Sequence, residues 1–520
     1  MAKTPLIKTL QHAYQIARFA GRKGISAETA IELWDIRISR RHLFQGSLAA
    51  AGAISAIALD RHFDQQVDAA TPPVLIVGAG IAGLTAAYYL ARSGVPVSIV
   101  EASKRVGGRI LSQAKALGTE TTVELGGEFI DSGHKNIRKL AQELGLVEVD
   151  LLASDGNLTK DVYFFNNRLI NAKELITAFI PLAKRIDRDV KAIGEVNYKS
   201  TNPRSIQLDR TSIAEYLDRH CPDQTLRHLI EVAYTNEYGR EVNLQSSINL
   251  LLLIGRDINQ IEIFGSSDQR YQIRGGNQQI VDKLSAKFSD RIQTNTRLES
   301  IRSTPNDRYR VSLRQENTSK EYTFDRVILA LPFSVLRQID IGVRLPAVKQ
   351  AAIKELGYGT NTKAIISYSD RLWRDKYKSN GQSFSDLDLR ETWESSRYND
   401  TKTGEIVNFS GGNLGAKIAR TNSAEVANKL STQFDLVFPG VKSLAINKAI
   451  VTNWIDLPYS RGSYACYLVG QWTKFAGVEG ERVGNLFFVG EHCSLEAQGY
   501  MEGGCGTGLM AAAIILKELK

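Results

Sequence analysis

Three glycines and one acid have the spacing of a binding site for a dinucleotide. Gly78, Gly80 and Gly83 form G-x-G-x-x-G directly after the apolar run Val74–Val77, and Glu101 ends the next apolar run. In this pattern the first glycine permits a tight turn, the second lets the backbone approach a pyrophosphate, and the third lets a helix pack closely. The acid can accept hydrogen bonds from a ribose diol. The pattern therefore predicts a strand, a helix and a strand, with the phosphates at the amino terminus of the helix.

A pair of glycines between two arginines follows this acid and narrows the choice of dinucleotide. Residues Arg105–Arg109 have the sequence RVGGR. Here the chain resembles the flavin-containing amine oxidase family, and its pattern is most similar to bacterial exported L-amino-acid oxidases. In that family the glycines and the last arginine of R-x-G-G-R lie against the diphosphate of FAD. The resemblance implies FAD, bound non-covalently, because Ser463 stands where monoamine oxidases have the cysteine that bonds the flavin.

The resemblance covers about residues 72 to 516 and recurs in separate segments. ELGGEFI at Glu124–Ile130 is similar to the segment that passes the flavin, and RVILALPFSVLR at Arg326–Arg337 to the strand and loop before the substrate cavity. Arg274–Leu284 resembles a turn and helix of the FAD domain, and Leu486–Ala513 its last segment. The cofactor-binding residues that the resemblance implies are Gly78, Gly80, Ala82, Gly83, Glu101, Ala102, Arg105, Gly108, Arg109, Gly126, Gly127, Glu128, Phe129, Gly490, Glu491, Gly499, Tyr500 and Met501.

Two tyrosines are the first candidates for contact with a substrate. The resemblance implies an oxidase that takes hydride equivalents from a neutral amine, leaves an imine for water to hydrolyse, and passes the electrons to molecular oxygen as hydrogen peroxide. Tyr464 and Tyr500 match the two aromatic residues that flank the amine in monoamine oxidases. Gln269 matches a glutamine of their cavity, and Trp393 is expected in the cavity wall. Arg337 stands where related oxidases place a lysine near the flavin, or else is a surface arginine at the end of a loop.

The position of Phe129 bears on the class of substrate. Many L-amino-acid oxidases have here an arginine that clamps the substrate carboxylate, so an amino acid would need another clamp, for which Arg337 is the candidate. Glu128 and Asp131 are candidates to face a basic side chain such as that of arginine or lysine, or else form an acidic pair in solvent. The overall pattern favours an L-amino acid. Two alternatives stay open. The first is a monoamine or polyamine oxidase. The second is a flavin-containing binding or structural protein, or a dehydrogenase that passes electrons to a membrane carrier.

The elements that must position these residues predict two interleaved domains. The fold class is α/β: a Rossmann-like FAD-binding domain interleaved with an α+β substrate-binding domain, as in the amine oxidase fold. We assign residues 71–150, 270–340 and 450–520 to the FAD-binding domain, and 151–269 and 341–449 to the substrate-binding domain. The predicted elements include helices over Ile81–Arg92, Lys173–Val190, Thr211–Leu217 and SAEVANKLSTQFDLV, and strands over Val74–Val77, Val97–Val100, KAIISYS and EIVNFSGG.

Composition excludes several other classes of protein. The chain has 520 residues, 43% of them hydrophobic, and its net charge is +9. Its lysines and arginines are scattered among acidic residues and form no dense basic stretch. We therefore expect a globular protein that binds no nucleic acid. The four cysteines have no metal-ligand spacing, so free thiols and no metal site are expected. We also expect a homo-oligomer, a dimer.

The first 70 residues have the pattern of an export signal. Arg40 and Arg41 precede the fourteen-residue apolar run Gly46–Leu59, and small residues follow near Ala69. This run is shorter than the roughly 18 residues that a membrane-spanning helix needs. Paired arginines before such a run are typical of twin-arginine signals, with a chance arginine pair on a surface helix as the alternative. We assign residues 1–70 to a twin-arginine leader and linker, and expect the export machinery as a partner and a periplasmic or secreted location.

Overall fold

The computed structural model describes residues 71–160, 162–255 and 267–519 of the chain. The predicted leader and linker over residues 1–70 lie outside the described residues. The strands in chain order are β1 (Val74–Val77), β2 (Val97–Val100), β3 (Ser112–Ala114), β4 (Thr122–Glu124), β5 (Glu148–Asp150), β6 (Val162–Phe165), β7 (Arg168–Leu169), β8 (Tyr271–Ile273), β9 (Ile292–Gln293), β10 (Thr296–Ser303), β11 (Tyr309–Gln315), β12 (Thr318–Phe324), β13 (Arg326–Leu329), β14 (Asp340–Gly342), β15 (Gly357–Tyr358), β16 (Thr362–Tyr368), β17 (Ser383–Ser385), β18 (Glu391–Glu394), β19 (Gly404–Ser410), β20 (Ala445–Val451), β21 (Ala465–Cys466) and β22 (Leu486–Phe488).

Helices connect most of these strands. In chain order they are α1 (Ile81–Arg92), α2 (Lys135–Glu143), α3 (Leu151–Asp155), α4 (Ala172–Ile193), α5 (Pro203–Asp209), α6 (Ile213–His220), α7 (Gln224–Tyr238), α8 (Ser247–Gly255), α9 (Gln278–Ala286), α10 (Phe333–Leu336), α11 (Ala347–Glu355), α12 (Leu372–Asp375), α13 (Gly412–Ile418), α14 (Ser423–Val437), α15 (Gln471–Phe475) and α16 (Met501–Glu518). Short 3₁₀ helices are formed by Ala116–Gly118, Val441–Leu444 and Glu491–Cys493.

A five-stranded parallel sheet carries the predicted glycine loop. Its strand order is β22, β13, β1, β2 and β9. Because both faces of this sheet are covered, β1 is buried along its whole length, which explains its unbroken apolar sequence. The predicted strand, helix and strand at Val74–Val77, Ile81–Arg92 and Val97–Val100 are confirmed with the same bounds.

Three layers stack across the parallel sheet. Successive side chains of a strand point to opposite faces, so Ile76 packs against the helices while Leu75 and Val77 pack on the other side. The helix side includes Leu84 of α1 and Ile515 of α16. On the other side lies the four-stranded sheet β12, β11, β10 and β14. This arrangement leaves the carboxyl edge of the parallel sheet for a ligand.

A seven-stranded mixed sheet has the order β20, β16, β19, β18, β17, β6 and β7. Its pairs are antiparallel apart from the parallel pair of β17 and β6. Helix α14 covers one face, where Ala364 and Ile366 pack against Phe434, as expected for a helix on a mixed sheet. Ile365 and Trp393 point to the opposite face. The two faces of β16 therefore pack against different parts of the chain, one against α14 and the other against Val123 and Phe129.

A separate helical body is built from α4 to α8, whose apolar side chains form their own core. Helix α4 extends slightly beyond the predicted Lys173–Val190 at both ends. Helix α6 begins later than the predicted Thr211, because Ser212 is its N-cap: the Ser212 hydroxyl accepts from the Glu215 N–H, and the Glu215 carboxylate accepts from the Ser212 N–H. No helix of the described residues is both long enough and apolar enough to cross a membrane. All four cysteines are free thiols.

The sheets draw on the chain in alternation. The strands of the parallel sheet come from within residues 71–150, 270–340 and 450–520, the predicted FAD-binding segments. The seven-stranded sheet draws on 151–269 and 341–449, and β20 continues across the predicted boundary to Val451. The division into two domains stays a prediction, since the strands mark segments of the chain and not independent folding units.

Candidate active site

A cavity of about 820 Å³ lies along the carboxyl edge of the parallel sheet. The loops that follow β2, β1, β13 and β22 line one side, in that order along the sheet. The other side is lined by the face of the seven-stranded sheet opposite α14, through Lys363, Trp393 and Phe409. The cavity therefore lies in a crevice outside the carboxyl ends of the strands, where open α/β sheets bind ligands.

The glycine loop leaves bare backbone on both sides of a narrow part of this cavity. A Cβ added to Gly108 would lie 3.4 Å from the Cα of Gly80, so side chains here would fill the space. Gly78 has a φ of +105°, and a Cβ there would lie 2.6 Å from the carbonyl oxygen of Ala330. Gly83 does not line the cavity; a Cβ there would collide with the carbonyl oxygen of Gly78, which fits its predicted role of packing α1 on β1.

Donors and one acid surround this narrow part. Gly80 is the N-cap of helix α1, and no side chain caps the helix there. The first N–H groups of the helix can therefore bind an anion. The oxygens of Glu101 accept from the N–H groups of Ala79 and Ser103, at 2.8 Å each, and keep further lone pairs for a ribose hydroxyl. Arg105 lines the cavity and donates to the carbonyl oxygens of Val106, Gly108 and Ile110. The residues present therefore fit the diphosphate and ribose of FAD.

An ion pair lies farther along the cavity. Nη1 of Arg109 is 2.9 Å from Oε1 of Glu491 and also donates to the carbonyl oxygen of Ser463 at 2.7 Å. Oε2 of Glu491 accepts from the N–H of Gly499 at 2.8 Å. Arg109 thus ties the RVGGR segment to Ser463 and Glu491, which lie 354 and 382 residues later in the chain. The hydroxyl of Ser463 donates to Oδ1 of Asn361 at 2.7 Å and lines the cavity.

The ELGGEFI segment is fixed to the second sheet by a buried lysine. Nζ of Lys363 donates to Oε2 of Glu128 at 2.6 Å and to the carbonyl oxygens of Glu124 and Gly126 at 3.0 and 2.9 Å. These three bonds use all three protons of the ammonium group. Oε1 of Glu128 accepts from the Trp393 indole at 3.0 Å, and from Gln272 at the same distance.

This geometry corrects the expectation that Glu128 faces a basic substrate or forms an acidic pair in solvent. Its side chain is 3% exposed, and its carboxylate is already paired with Lys363. Asp131 is likewise buried, and its Oδ1 accepts from the Ser267 hydroxyl and from the N–H of Gln269. The alternation of side chains in β16 explains the lysine: Lys363 points to the cavity face, whereas its neighbours Thr362 and Ala364 point to the other face.

Aromatic rings surround the end of the cavity beyond the ion pair. Tyr464 and Tyr500 both line it, together with Phe129, Trp393 and Phe409. Phe129 lies 5.4 Å from Trp393 between ring centroids, and Trp393 lies 5.6 Å from Phe409. The hydroxyl of Tyr464 donates to a carbonyl oxygen at 2.9 Å. Burial raises the pKa of both tyrosines well above the usual value, so their hydroxyls stay neutral.

Gln269 lines the cavity beside these rings, at the start of a described stretch. Its φ of +47° places it in the left-handed region, and its N–H bond to Asp131 holds it there. Asp131 in turn faces His134, whose Nε2 lies 3.3 Å from Oδ2. Burial lowers the pKa of His134 to about 4, so this histidine is neutral at physiological pH. Its ring meets the Tyr500 ring edge at 5.0 Å between centroids, which gives Tyr500 a fixed support.

Arg337 is placed differently from the expected role near the flavin. It does not line the cavity, and it caps the end of the short helix α10. Its guanidinium donates to the carbonyl oxygens of Phe333 and Leu356 at 3.0 and 2.9 Å. The residue is exposed, so the alternative interpretation, a surface arginine at the end of a loop, describes its surroundings. These contacts do not support a carboxylate clamp at Arg337, and that role stays a prediction.

Apart from Arg337, Gly83 and Asp131, every predicted site residue lines the cavity. Their contacts with a cofactor or a substrate stay predictions. Sequence reasoning missed further lining residues, among them Asn361, Lys363, Phe409, Trp454 and His492. Lys363 gave one usable signal, a charged residue inside the apolar strand TKAIISY. The others carry no local signal because their role depends on contacts between distant segments.

The family model of flavin containing amine oxidoreductases matches residues 81–516. The L-amino-acid oxidase of Vipera ammodytes ammodytes is 24% identical over 84% of this chain and 91% of its own length. Amine oxidase (flavin-containing) B of Sus scrofa is 26% identical over 86% of each chain. The matched region contains the cavity residues described above from Ala82 onward.

Two solved structures resemble the whole described arrangement. Cyclohexylamine oxidase from Brevibacterium oxydans IH-35A has a TM-score of 0.74 and 22% identity, over 86% of this chain and 99% of its own. Wild-type putrescine oxidase bound to putrescine has a TM-score of 0.73 and 19% identity with the same coverage. At these identities the likeness shows the fold alone, which is the amine oxidase fold expected from the sequence.

Proposed function

The chain belongs to the flavin-containing amine oxidoreductase family, and on this premise we propose that it oxidises a primary amine that carries no α-carboxylate. The reaction would be an oxidative deamination with FAD as cofactor, oxygen as acceptor, and an aldehyde or ketone, ammonia and hydrogen peroxide as products. The observation that carries the proposal is the aromatic end of the cavity, formed by Tyr464, Tyr500, Phe129, Trp393 and Phe409.

The charges around this aromatic end support a substrate without a carboxylate. Two described cationic residues that line the cavity, Lys363 and Arg109, are each paired with a buried carboxylate, and Nζ of Lys363 lies 5.7 Å from the centroid of the Trp393 ring. A substrate carboxylate would have to compete with Glu128 or Glu491 for these cations. Phe129 stands where a carboxylate clamp would need a guanidinium. The Arg397 guanidinium, 5.6 Å from the centroid of the Phe129 ring, is paired with buried Asp155. An amine without a carboxylate avoids both costs.

The residues of the chain would bind and orient this amine. The bound FAD supplies the two-electron chemistry. Tyr464 and Tyr500 present apolar ring faces to a flat, neutral amine, and their raised pKa keeps them uncharged. Trp393 and Phe129, 5.4 Å apart between ring centroids, would exclude water from the same space. Because a misplaced substrate loses rate steeply, fixed rings are the main contribution that the protein can make here.

An L-amino acid is the second candidate, and it was the first choice from the sequence pattern. The similarity to a venom L-amino-acid oxidase over 84% of the chain favours it. It requires a cation that can be released to a substrate carboxylate, and Lys363 is the described residue whose position would suit this. A basic amino acid such as arginine or lysine would belong to this candidate.

Oxygen uptake with matched substrates separates the two candidates. Phenethylamine and L-phenylalanine, cadaverine and L-lysine, and agmatine and L-arginine differ within each pair by the α-carboxylate alone. We expect oxygen consumption and peroxide formation with at least one amine and none with its amino acid. Turnover of the amino acids alone would replace the proposal with the second candidate. No turnover with any pair, in protein that contains FAD, would contradict both.

We further propose that the protein is exported folded through the twin-arginine route. The support is the order of Arg40, Arg41 and the apolar run Gly46–Leu59, which lie outside the described residues. A route that carries folded proteins suits an enzyme that must enclose FAD first. Replacing both arginines by lysine should leave active protein in the cytoplasm, and unchanged export of the variant would refute the proposal.

A further inference from the structure

His492 is a buried polar side chain with no hydrogen-bond partner among the described residues. It lines the cavity and is 1% exposed. Within the part of the chain that the structure describes, neither of its ring nitrogens has a hydrogen-bond partner. Buried polar groups in proteins are nearly always hydrogen-bonded, so an exception calls for a missing partner such as a ligand.

The fold makes room for this imidazole. His492 lies in the 3₁₀ helix Glu491–Cys493, in the loop after β22. Gly490 has a φ of +146°, and a Cβ there would lie 2.6 Å from Cε1 of His492. The ring makes a T-shaped contact with Phe333, the first residue of α10 after β13, at 4.5 Å between centroids. The ring is therefore held at a fixed place in the cavity wall, between two loops of the carboxyl edge.

Its place along the sheet edge indicates which part of FAD it would meet. The glycine loop for the diphosphate follows β1, and β22 lies two strands away on the side opposite Glu101. Neighbouring strands are about 4.8 Å apart, so the loop after β22 lies roughly 10 Å beyond the diphosphate loop. In FAD the segment between the diphosphate and the flavin ring is the ribityl chain.

A neutral His492 ring is suited to hydrogen bonds with hydroxyl groups. Burial lowers the pKa of His492 to about 3, so the ring is neutral and has one donor and one acceptor nitrogen. Ribityl hydroxyls also donate and accept, whereas diphosphate oxygens only accept. Glu491, the other side chain of this loop that lines the cavity, is paired with Arg109.

We propose that His492 hydrogen-bonds a ribityl hydroxyl of the bound FAD and so helps to hold the cofactor without a covalent bond. This inference rests on the proposed FAD site. His492 would be a binding residue for the cofactor, with its two nitrogens completed only when FAD is present.

Affinity of the full-length apoprotein for FAD and for ADP tests the proposal. ADP carries the adenosine and diphosphate of FAD but no ribityl chain. His492→Phe keeps a ring against Phe333 and removes both nitrogens. We expect this variant to bind FAD about tenfold more weakly and to bind ADP as wild type does. His492→Asn and His492→Gln each restore one polar position, and at least one should recover part of the FAD affinity.

Controls separate a binding role from a structural one. His220→Phe makes the same change at a ring that packs on Tyr216 and does not line the cavity, and it should leave FAD affinity unchanged. Apoprotein of His492→Phe should melt at the same temperature as wild type or higher, because an unpartnered polar group has been removed. A lower melting temperature together with weaker binding of both ligands would indicate a structural role and overturn the proposal.

The remaining outcomes are decisive as well. FAD affinity of His492→Phe equal to that of wild type would overturn the inference and leave the proposed function standing. Equal weakening for FAD and ADP would assign His492 to the diphosphate and overturn the ribityl contact. Wild-type apoprotein that binds no FAD would overturn the proposed function and this inference together.

Discussion

At the scale of single residues, the aromatic end of the cavity is defined by ring faces, while the charges nearby are neutralised by one another. Lys363 is paired with Glu128, and Arg109 with Glu491. Tyr500 is supported by the ring of His134. A substrate amine would thus meet apolar surfaces held in place by polar contacts behind them.

The ring of Tyr500, and not its hydroxyl, should matter for the reaction. Tyr500→Phe keeps the ring face, so flavin reduction by the preferred amine should stay within about threefold of wild type, whereas Tyr500→Leu should slow it by about 10- to 100-fold. Stopped-flow absorbance under anaerobic conditions measures both rates. If Tyr500→Phe were as slow as Tyr500→Leu, the hydroxyl would carry the function and the ring-face account would fail.

The sequence motifs predicted that Tyr464 and Tyr500 lie at the cavity, but they did not predict the position of Arg337. Tyr464 and Tyr500 lie in segments whose motif spacing fixes them near the cavity, and both line it. Arg337 was expected there from its place after LPFSVL, yet the α10 turn directs its side chain toward backbone carbonyl oxygens. A shift of one residue along a helical turn changes the direction of a side chain by about 100°, which sequence spacing alone does not resolve.

At the scale of elements, β16 joins the two halves of the site. Its cavity face presents Lys363, which binds three acceptors of the ELGGEFI segment, and its other face packs on α14. The segment is also packed closely against α16: a Cβ on Gly127 would lie 2.8 Å from Met501. The position of ELGGEFI is therefore set by two elements from distant parts of the chain.

Breaking the buried pair should destabilise the protein more than removing it. Lys363→Met leaves Glu128 buried without its cation and should lower the free energy of unfolding by about 3–5 kcal/mol, whereas adding Glu128→Gln should recover a large part of this loss. Denaturant unfolding of the two single variants and the double variant gives the coupling energy. Purely additive effects would show that the pair has no special role.

Glu124 should make stability fall with rising pH. Burial raises the pKa of this carboxyl from 4.5 to about 8, so the folded protein holds its proton more tightly than the unfolded chain. The contribution is complete below pH 4.5 and is lost as the pH rises through about 8. Glu124→Gln should therefore lose less stability than wild type between these pH values, as measured by melting temperature.

Glu120 offers the control for this pH effect. Its side chain is 78% exposed in the same hairpin region, so Glu120→Gln should follow the wild-type pH profile. Parallel profiles for wild type and Glu124→Gln would contradict a raised pKa at Glu124.

At the scale of the whole molecule, separate segments of the chain contribute strands to one parallel sheet. The local elements were predictable, because Val74–Val77, Ile81–Arg92, Val97–Val100 and Ser423–Val437 carry their own periodicity and end signals. The strand order, the four-stranded sheet on the second face and the cavity between two sheets depend on contacts between distant segments, so composition and spacing gave no access to them.

We expect the cofactor to be bound without a covalent bond. The position that bears a cysteine in monoamine oxidases holds Ser463, whose hydroxyl donates to Asn361. Acid precipitation should therefore leave all flavin in the supernatant and a colourless pellet, as measured by absorbance. A flavin-labelled tryptic peptide would contradict this expectation.

The measurement that tests the central claim most directly is anaerobic bleaching of the visible absorbance of the bound flavin. Phenethylamine, cadaverine and agmatine would be added in turn, each followed in a separate sample by its matched amino acid, and oxygen would then be readmitted. We predict bleaching by at least one amine, none by its amino acid, and recovery of the colour with oxygen. Bleaching by the amino acids alone would contradict the proposal that the aromatic end of the cavity accepts an amine without a carboxylate.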